Sequence, residues 1–274
     1  MAFNFSRSCE SEKDGACLVG ILFRGEPLRW GVDKQSLQEQ RHAIHSWHEH
    51  VGKPLLSRHT VSTLYMMAVD QRRGFDNMTY IRTLSNGSLP SSARIVLRFF
   101  NSSGQASNFM NAFALFQSEI RQTRAVVLTR YDVLAVTDVF EWGCSGLDLW
   151  PWRMLYLPGW VGKADTVNDV YHIVPREYYG VFDSVFFRND KEPCFATHLP
   201  RVWQSTSGHF CYKPLVRAIG SDNVSVCRNT HRVKSQYSMG THHLSVCNTL
   251  PAESKVWRCG GRFRPNNLTV ATRR

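Results

Sequence analysis

The feature that most limits what this chain can become is an alternation. Short, unbroken apolar runs take turns with stretches whose apolar residues recur at helical spacing. Ala16-Cys-Leu-Val-Gly-Ile-Leu-Phe23 is the first run, closed by Arg24-Gly25 and Pro27. It is far too short to cross a membrane, and continuous apolarity of this length is how a strand buried on both faces reads. Ser36-Leu-Gln-Glu39 has capping-box spacing, and Leu37, Ile44, Trp47 and Val51 then form one apolar stripe. Gly52 and Pro54 are expected to end that helix. Val61 to Val69 predicts a second strand ending at Asp70, and Ala93 to Phe100 a third. Phe109, Phe113, Phe116 and Ile120 predict a second helix, followed by the run Ala125-Val-Val-Leu128, which leads into Thr129-Arg130-Tyr131-Asp132. That order predicts an α/β fold with a Rossmann-like, mostly parallel central sheet and helices on both faces.

The second half is less regular. Val139 to Gly162 is rich in Trp, Pro and Gly and reads as a loop or lid. Val170 to Val174 predicts a strand, with Pro175 in the first turn of a helix carrying Tyr178, Phe182 and Val185. His209 to Cys227 reads as one or two short strands. The expected organisation is a flexible segment over 1–15, one domain over 16–230, and a basic, irregular segment over 231–274.

The chain carries a net charge of +11, which favours anionic partners. Its basic residues are scattered and no aromatic RNA-reading motif is present, so nucleic acid is not the expected partner. No apolar run reaches the length of a membrane span. Two features favour a secretory compartment. Asn4, Asn77, Asn86, Asn101, Asn223 and Asn267 each begin Asn-x-Ser/Thr, where chance would give roughly two. The eight cysteines form an even set without Cys-x-x-Cys spacing, which suits disulfides or unpaired thiols better than a zinc site. Two locations stand: the ER or Golgi lumen, should an anchor lie outside this sequence, and the cytoplasm otherwise.

In open parallel sheets, ligands bind beyond the carboxyl ends of the strands, where strand order reverses. That rule selects Arg24, Gly25, Asp70, Arg130, Asp132 and Asp169. Arg130-Tyr-Asp132 delivers a guanidinium and a carboxylate to one rim. Such a pair serves either to neutralise a diphosphate, directly or through a cation on Asp132, or to tie down a loop as an ion pair. Asn168-Asp169 before a strand is either a turn or a general base for an acceptor hydroxyl. His42, His45, His48 and His50 lack an acidic partner at metalloprotease spacing and read as surface or packing residues. Gly-x-Gly-x-x-Gly, Walker, Gly-x-Ser-x-Gly and kinase motifs are absent, against dehydrogenase, hydrolase and kinase readings.

Cys17-Leu-Val-Gly-Ile-Leu-Phe-Arg-Gly25, Ala125-Val-Val-Leu-Thr-Arg-Tyr-Asp132 and Asn168-Asp-Val-Tyr-His-Ile-Val-Pro175 occur in an order that resembles glycosyltransferase-like proteins of the nucleotide-diphospho-sugar (GT-A-like) type, including sequences from protists, algae and large viruses. The resemblance covers roughly residues 16–220. It implies transfer of a sugar from a nucleotide-diphospho-sugar donor to a hydroxyl on a glycan, protein or lipid acceptor. It places Arg24 and Gly25 near the nucleotide, Asp70 near its base or ribose, and Asp169 on the acceptor side. In such enzymes an Asp-x-Asp motif holds Mn²⁺ or Mg²⁺ against the diphosphate. Here Arg130 stands for the first acid, which leaves Asp132 as the metal ligand or Arg130 in place of part of the metal's charge. The competing reading is a non-catalytic glycan- or polyanion-binding protein on the same scaffold.

Overall fold

A computed structural model describes residues 17–25, 34–71, 84, 87–101, 105–142, 144–157, 166–167, 170–182, 210–211, 213–227 and 233–235. The expectations placed on residues 1–15, Asp169, Val185, His209 and most of the C-terminal segment fall outside these residues.

A seven-stranded sheet organises the chain. In chain order its strands are β1 (Leu18–Gly25), β2 (Ser62–Asp70), β3 (Arg94–Phe100), β4 (Ala125–Arg130), β6 (Leu155–Leu157), β8 (Tyr171–Pro175) and β10 (Val224–Val226). Across the sheet they run β10-β6-β8-β4-β1-β2-β3. β1 pairs in parallel with both β2 and β4, β2 pairs in parallel with β3, and β10 pairs in parallel with β6. Only β8 runs the other way, between β4 and β6. The fold is therefore α/β with a mostly parallel mixed sheet, as the alternation predicts. Two two-stranded pairs lie outside it. β5 (Val133–Ala135) pairs with β11 (Val233–Ser235), and β7 (Thr166–Val167) pairs with β9 (Phe210–Cys211).

Side chains alternate across a strand, so each face of the sheet gathers its own core. Val19, Ile21 and Phe23 point to one face with Tyr65, Met67 and Val127, where Ile44, Trp47, Leu55, Trp142 and Trp152 cover them. Leu22, Leu64, Met66, Val126 and Leu128 point to the other, where Phe109, Ala112, Phe113 and Phe116 cover them. The longer helices that cover the sheet are α1 (Lys34–Trp47) and α2 (Lys53–His59) on the first face and α3 (Gln105–Leu115) on the second. Burying each of these aromatic side chains contributes about 1.5–3 kcal/mol.

Three sequence expectations change. α1 already runs through Ser36, so that residue is not its N-cap. Gly52 and Pro54 do not end the helical path: a π-turn over His48–Gly52 hands over to α2. Pro54 falls in the first turn of α2, where its missing N–H is not needed. A Cβ on Gly52 would stand 2.5 Å from the Tyr65 hydroxyl, so this glycine serves close packing. The stretch from Val139 is not a lid as far as Leu157, because Trp142, Trp152 and Leu155 are buried and β6 is a member of the main sheet.

The histidines in and around the π-turn bring a pH dependence. Burial lowers His42, with His45 and His50 adding to it. Burial also lowers His48, which lies 2.6 Å from the Tyr65 hydroxyl, and His50 and His59 are lowered for the same reason. Each accepts a proton more readily unfolded, at the ordinary value of 6.5, than folded. The unfolded state therefore binds more protons in that range, and stability falls as pH drops below about 6.5. Thermal unfolding between about pH 7.5 and about pH 5.5 should show a falling midpoint, and His48→Gln should flatten the fall. A midpoint that holds or rises on acidification would contradict this.

Candidate functional site

The order of the parallel strands reverses between β1 and β4, since β2 and β3 lie on one side of β1 and β4 on the other. The crevice rule therefore points to the carboxyl ends of these two strands. Arg24 of β1 and Arg130 of β4 are directly paired across them. Parity puts both on the α3 face, since Arg24 follows Leu22 and Arg130 follows Leu128. Asp70, at the end of β2, follows Ala68 on that same face. The structure thus brings Arg24, Asp70 and Arg130 to one face at one end of the sheet.

They are not equally open. Arg24 is 2% exposed and Asp70 1%. The Arg24 guanidinium lies 4.1 Å from the centre of the Phe109 ring, a cation–π contact worth about 2 kcal/mol or more where water is excluded. Asp70 Oδ2 accepts from Asn108 Nδ2 at 3.0 Å. Both partners come from the N-terminal part of α3, so these two charges form a floor beneath that helix. Phe109 also meets the His172 ring edge-on, 5.1 Å between centroids.

Arg130 and Asp132 are bound to each other. Arg130 Nε donates to Asp132 Oδ1 at 2.8 Å, and Arg130 Nη2 donates to Asp132 Oδ2. The pair sits on a turn that the first face holds rigid. Tyr131 stacks on Phe23 with centroids 5.8 Å apart, and Gln40 Nε2 donates to the Tyr131 carbonyl. Beyond it, Trp47 Nε1 donates to the Val133 carbonyl at 2.7 Å, and Ala135 N donates to Ser46 Oγ at 3.1 Å. α1 therefore fixes the turn that presents Asp132.

Gly25 has φ of +114°, and a Cβ added there would meet no atom of the described residues within 4 Å. Its need for glycine is conformational.

A divalent cation does not fit the donors that Asp132 offers. Both carboxylate oxygens of Asp132 already accept from Arg130, and an ion there would stand against a guanidinium of like charge. Among the described residues no cluster of three or more His, Cys, Asp or Glu side chains is placed to hold a metal. Asn108, Phe109 and His172 are members of the site that sequence reading passes over. Phe109 belongs to the helical stripe and reads as core, Asn108 carries no motif, and His172 lies inside an expected strand without being singled out. Their signal lies in the sheet register, which shows which helix caps β1.

Comparison with known proteins returns no matching family model and no matching curated protein. Among solved structures, mouse xyloside xylosyltransferase 1 in its apo form aligns over 59% of this chain and 67% of its own, at 10% identity and a TM-score of 0.37. A nucleoside-diphosphate-sugar pyrophosphorylase from Vibrio cholerae RC9 aligns over 60% and 75%, at 13% identity and a TM-score of 0.35. Likeness at this level does not place the chain in a family. Among the described residues, no helix is long and apolar enough to cross a membrane.

Proposed function

We propose that this protein is a glycosyltransferase that binds a nucleotide-diphospho-sugar at the carboxyl ends of β1 and β4 and transfers the sugar to a hydroxyl acceptor. The observation that carries the reading is the pairing of Arg24 with Arg130, on one face, at the reversal of strand order. Two adjacent guanidinium groups repel unless anions lie near them. Asp132 is that anion for Arg130 in the folded chain. A donor diphosphate offers stronger, multiply charged acceptors to the same cations.

In this reading Arg130 stabilises the charge that builds on the departing diphosphate, and Arg24 adds positive potential from below. Asp132 fixes the plane of the Arg130 guanidinium, so that little reorganisation is needed as the bond breaks. Asp169 is assigned removal of the acceptor proton if the reaction inverts. No step runs through a metal.

A second reading, a non-catalytic glycan- or polyanion-binding protein, is favoured by one observation: Asp132 already holds Arg130 from two atoms. A thermal-shift panel of nucleotide sugars, with Mn²⁺ and with a chelator, separates the two. A transferase gains stability with its nucleotide sugar by mass action, equally in both conditions, whereas a glycan binder ignores the nucleotide. Asp132→Asn should abolish transfer and leave the fold intact: one oxygen still accepts from Arg130, but the amide nitrogen faces the other guanidinium N–H and no longer fixes its plane. Transfer by that variant at the unsubstituted rate would refute the assignment.

A further inference from the structure

The described residues include the asparagine of one sequon, Asn101, and the whole of another, Asn223-Val-Ser225. Asn101 follows β3 and is exposed. Asn223 is also exposed, but its Nδ2 donates to the Ile219 carbonyl at 2.6 Å. The hydroxyl that completes its sequon belongs to Ser225, which is 6% exposed in the middle of β10 and paired with Tyr156 of β6. Two residues further on, Cys227 N donates to the Leu157 carbonyl at 2.8 Å, and Cys227 is disulfide-bonded to Cys144. Cys17 is disulfide-bonded as well. Buried disulfides belong to oxidising compartments, which are also where Asn-x-Ser/Thr acceptors are used.

We infer that the chain is N-glycosylated at Asn101 and Asn223, and that modification of Asn223 competes with closure of the Cys144–Cys227 disulfide. In each transfer the Asn Nδ2 forms a bond to the anomeric carbon of an oligosaccharide carried on a lipid diphosphate. The bond from that carbon to the diphosphate oxygen breaks, the amide loses one proton, and the lipid diphosphate leaves. The acceptor must present its asparagine and the hydroxyl two residues on together. Once β10 is docked on β6 and Cys227 is bonded, the Ser225 hydroxyl is withdrawn and Asn223 is closed to further transfer. The inference is independent of what the site at β1 and β4 binds.

The test is expression of the full chain behind a cleavable secretory signal in a eukaryotic host. Total protein, cellular and secreted, is treated with the amidase that converts a glycosylated asparagine to aspartate, and occupancy at each position is read by peptide mass spectrometry. Cys144→Ser removes the disulfide without touching the sequon. Asn101 should be occupied alike in both proteins. Asn223 should be partly occupied in the unsubstituted chain and at least double in Cys144→Ser, and Ser225→Ala should empty it in both. Because total protein is read, a variant that fails to fold still reports. A bare Asn101, or an Asn223 whose occupancy is the same with and without Cys144, would overturn the inference.

Discussion

Cys144→Ser should lower the stability of the folded protein by about 4–5 kcal/mol, the chain-entropy value for a loop of this size. The two cysteines are 83 residues apart in sequence. The size of the effect follows from what the bond connects. β10 is the outermost strand, with β6 as its neighbour in the main sheet and three residues in register. Cys227 pins its end to Cys144, in the turn-rich stretch that carries Trp142 and Trp152 into the core. Without the bond, β10 has three paired residues and little apolar burial to hold it, so it should open before the rest. The midpoint of thermal unfolding should fall by about 10 °C or more. Hydrogen exchange should quicken first at the amides of 224–227. Reduction that leaves both the midpoint and these amides unchanged would show that β10 is held by its sheet contacts alone.

The parts of the fold that sequence makes plain are those where one residue pattern has one physical use. β1, β2, β3 and β4 are continuous or nearly continuous apolar runs, and each lies within two residues of its expected start. Phe109, Phe113 and Phe116 at helical spacing read as the cover for one face of a sheet, and they cover it. β8 shows the limit of that reasoning. Its run is as apolar as the others, but an apolar run carries no direction, and β8 enters antiparallel. β6 is hidden for another reason: three residues among tryptophans, prolines and glycines give no periodicity to read. Pro54 misleads because a proline that ends one helix is the same residue that suits the first turn of the next.

At the candidate site the difference is sharper. The ends of the apolar runs name Arg24, Asp70 and Arg130, and the fold brings them to one face. Their pairing at one level depends on the β1–β4 register, which no local pattern encodes. The cover that Asn108 and Phe109 lay over Asp70 and Arg24 depends on where α3 crosses the sheet. Disulfide connectivity lies further still from the sequence, because eight cysteines admit about a hundred pairings.

Replacing both members of the ion pair, Arg130→Met with Asp132→Leu, should leave a folded protein that no longer responds to a nucleotide sugar. The side chains are 8% and 18% exposed, so each charge is largely cut off from water without its partner. Asp132→Leu alone takes a two-point acceptor from the more buried charge and should be the costlier single change, at up to about 3–5 kcal/mol. Arg130→Met alone should cost less, because the Asp132 carboxylate, nearer the surface, regains some solvent. The double variant strands neither, and exchanging a buried pair for apolar groups of similar volume is often close to neutral. Its urea midpoint should therefore return most of the way to that of the unsubstituted protein. Stability alone does not separate a structural pair from a donor site, but the ligand response does. With donor at a hundredfold excess over Kd, the unsubstituted protein should gain about 2.7 kcal/mol. The double variant should gain nothing measurable, because its diphosphate countercharge is gone while the fold persists. If it is stabilised as much as the unsubstituted protein, Arg130 and Asp132 only tie down the turn after β4, and the donor, if one binds, sits elsewhere.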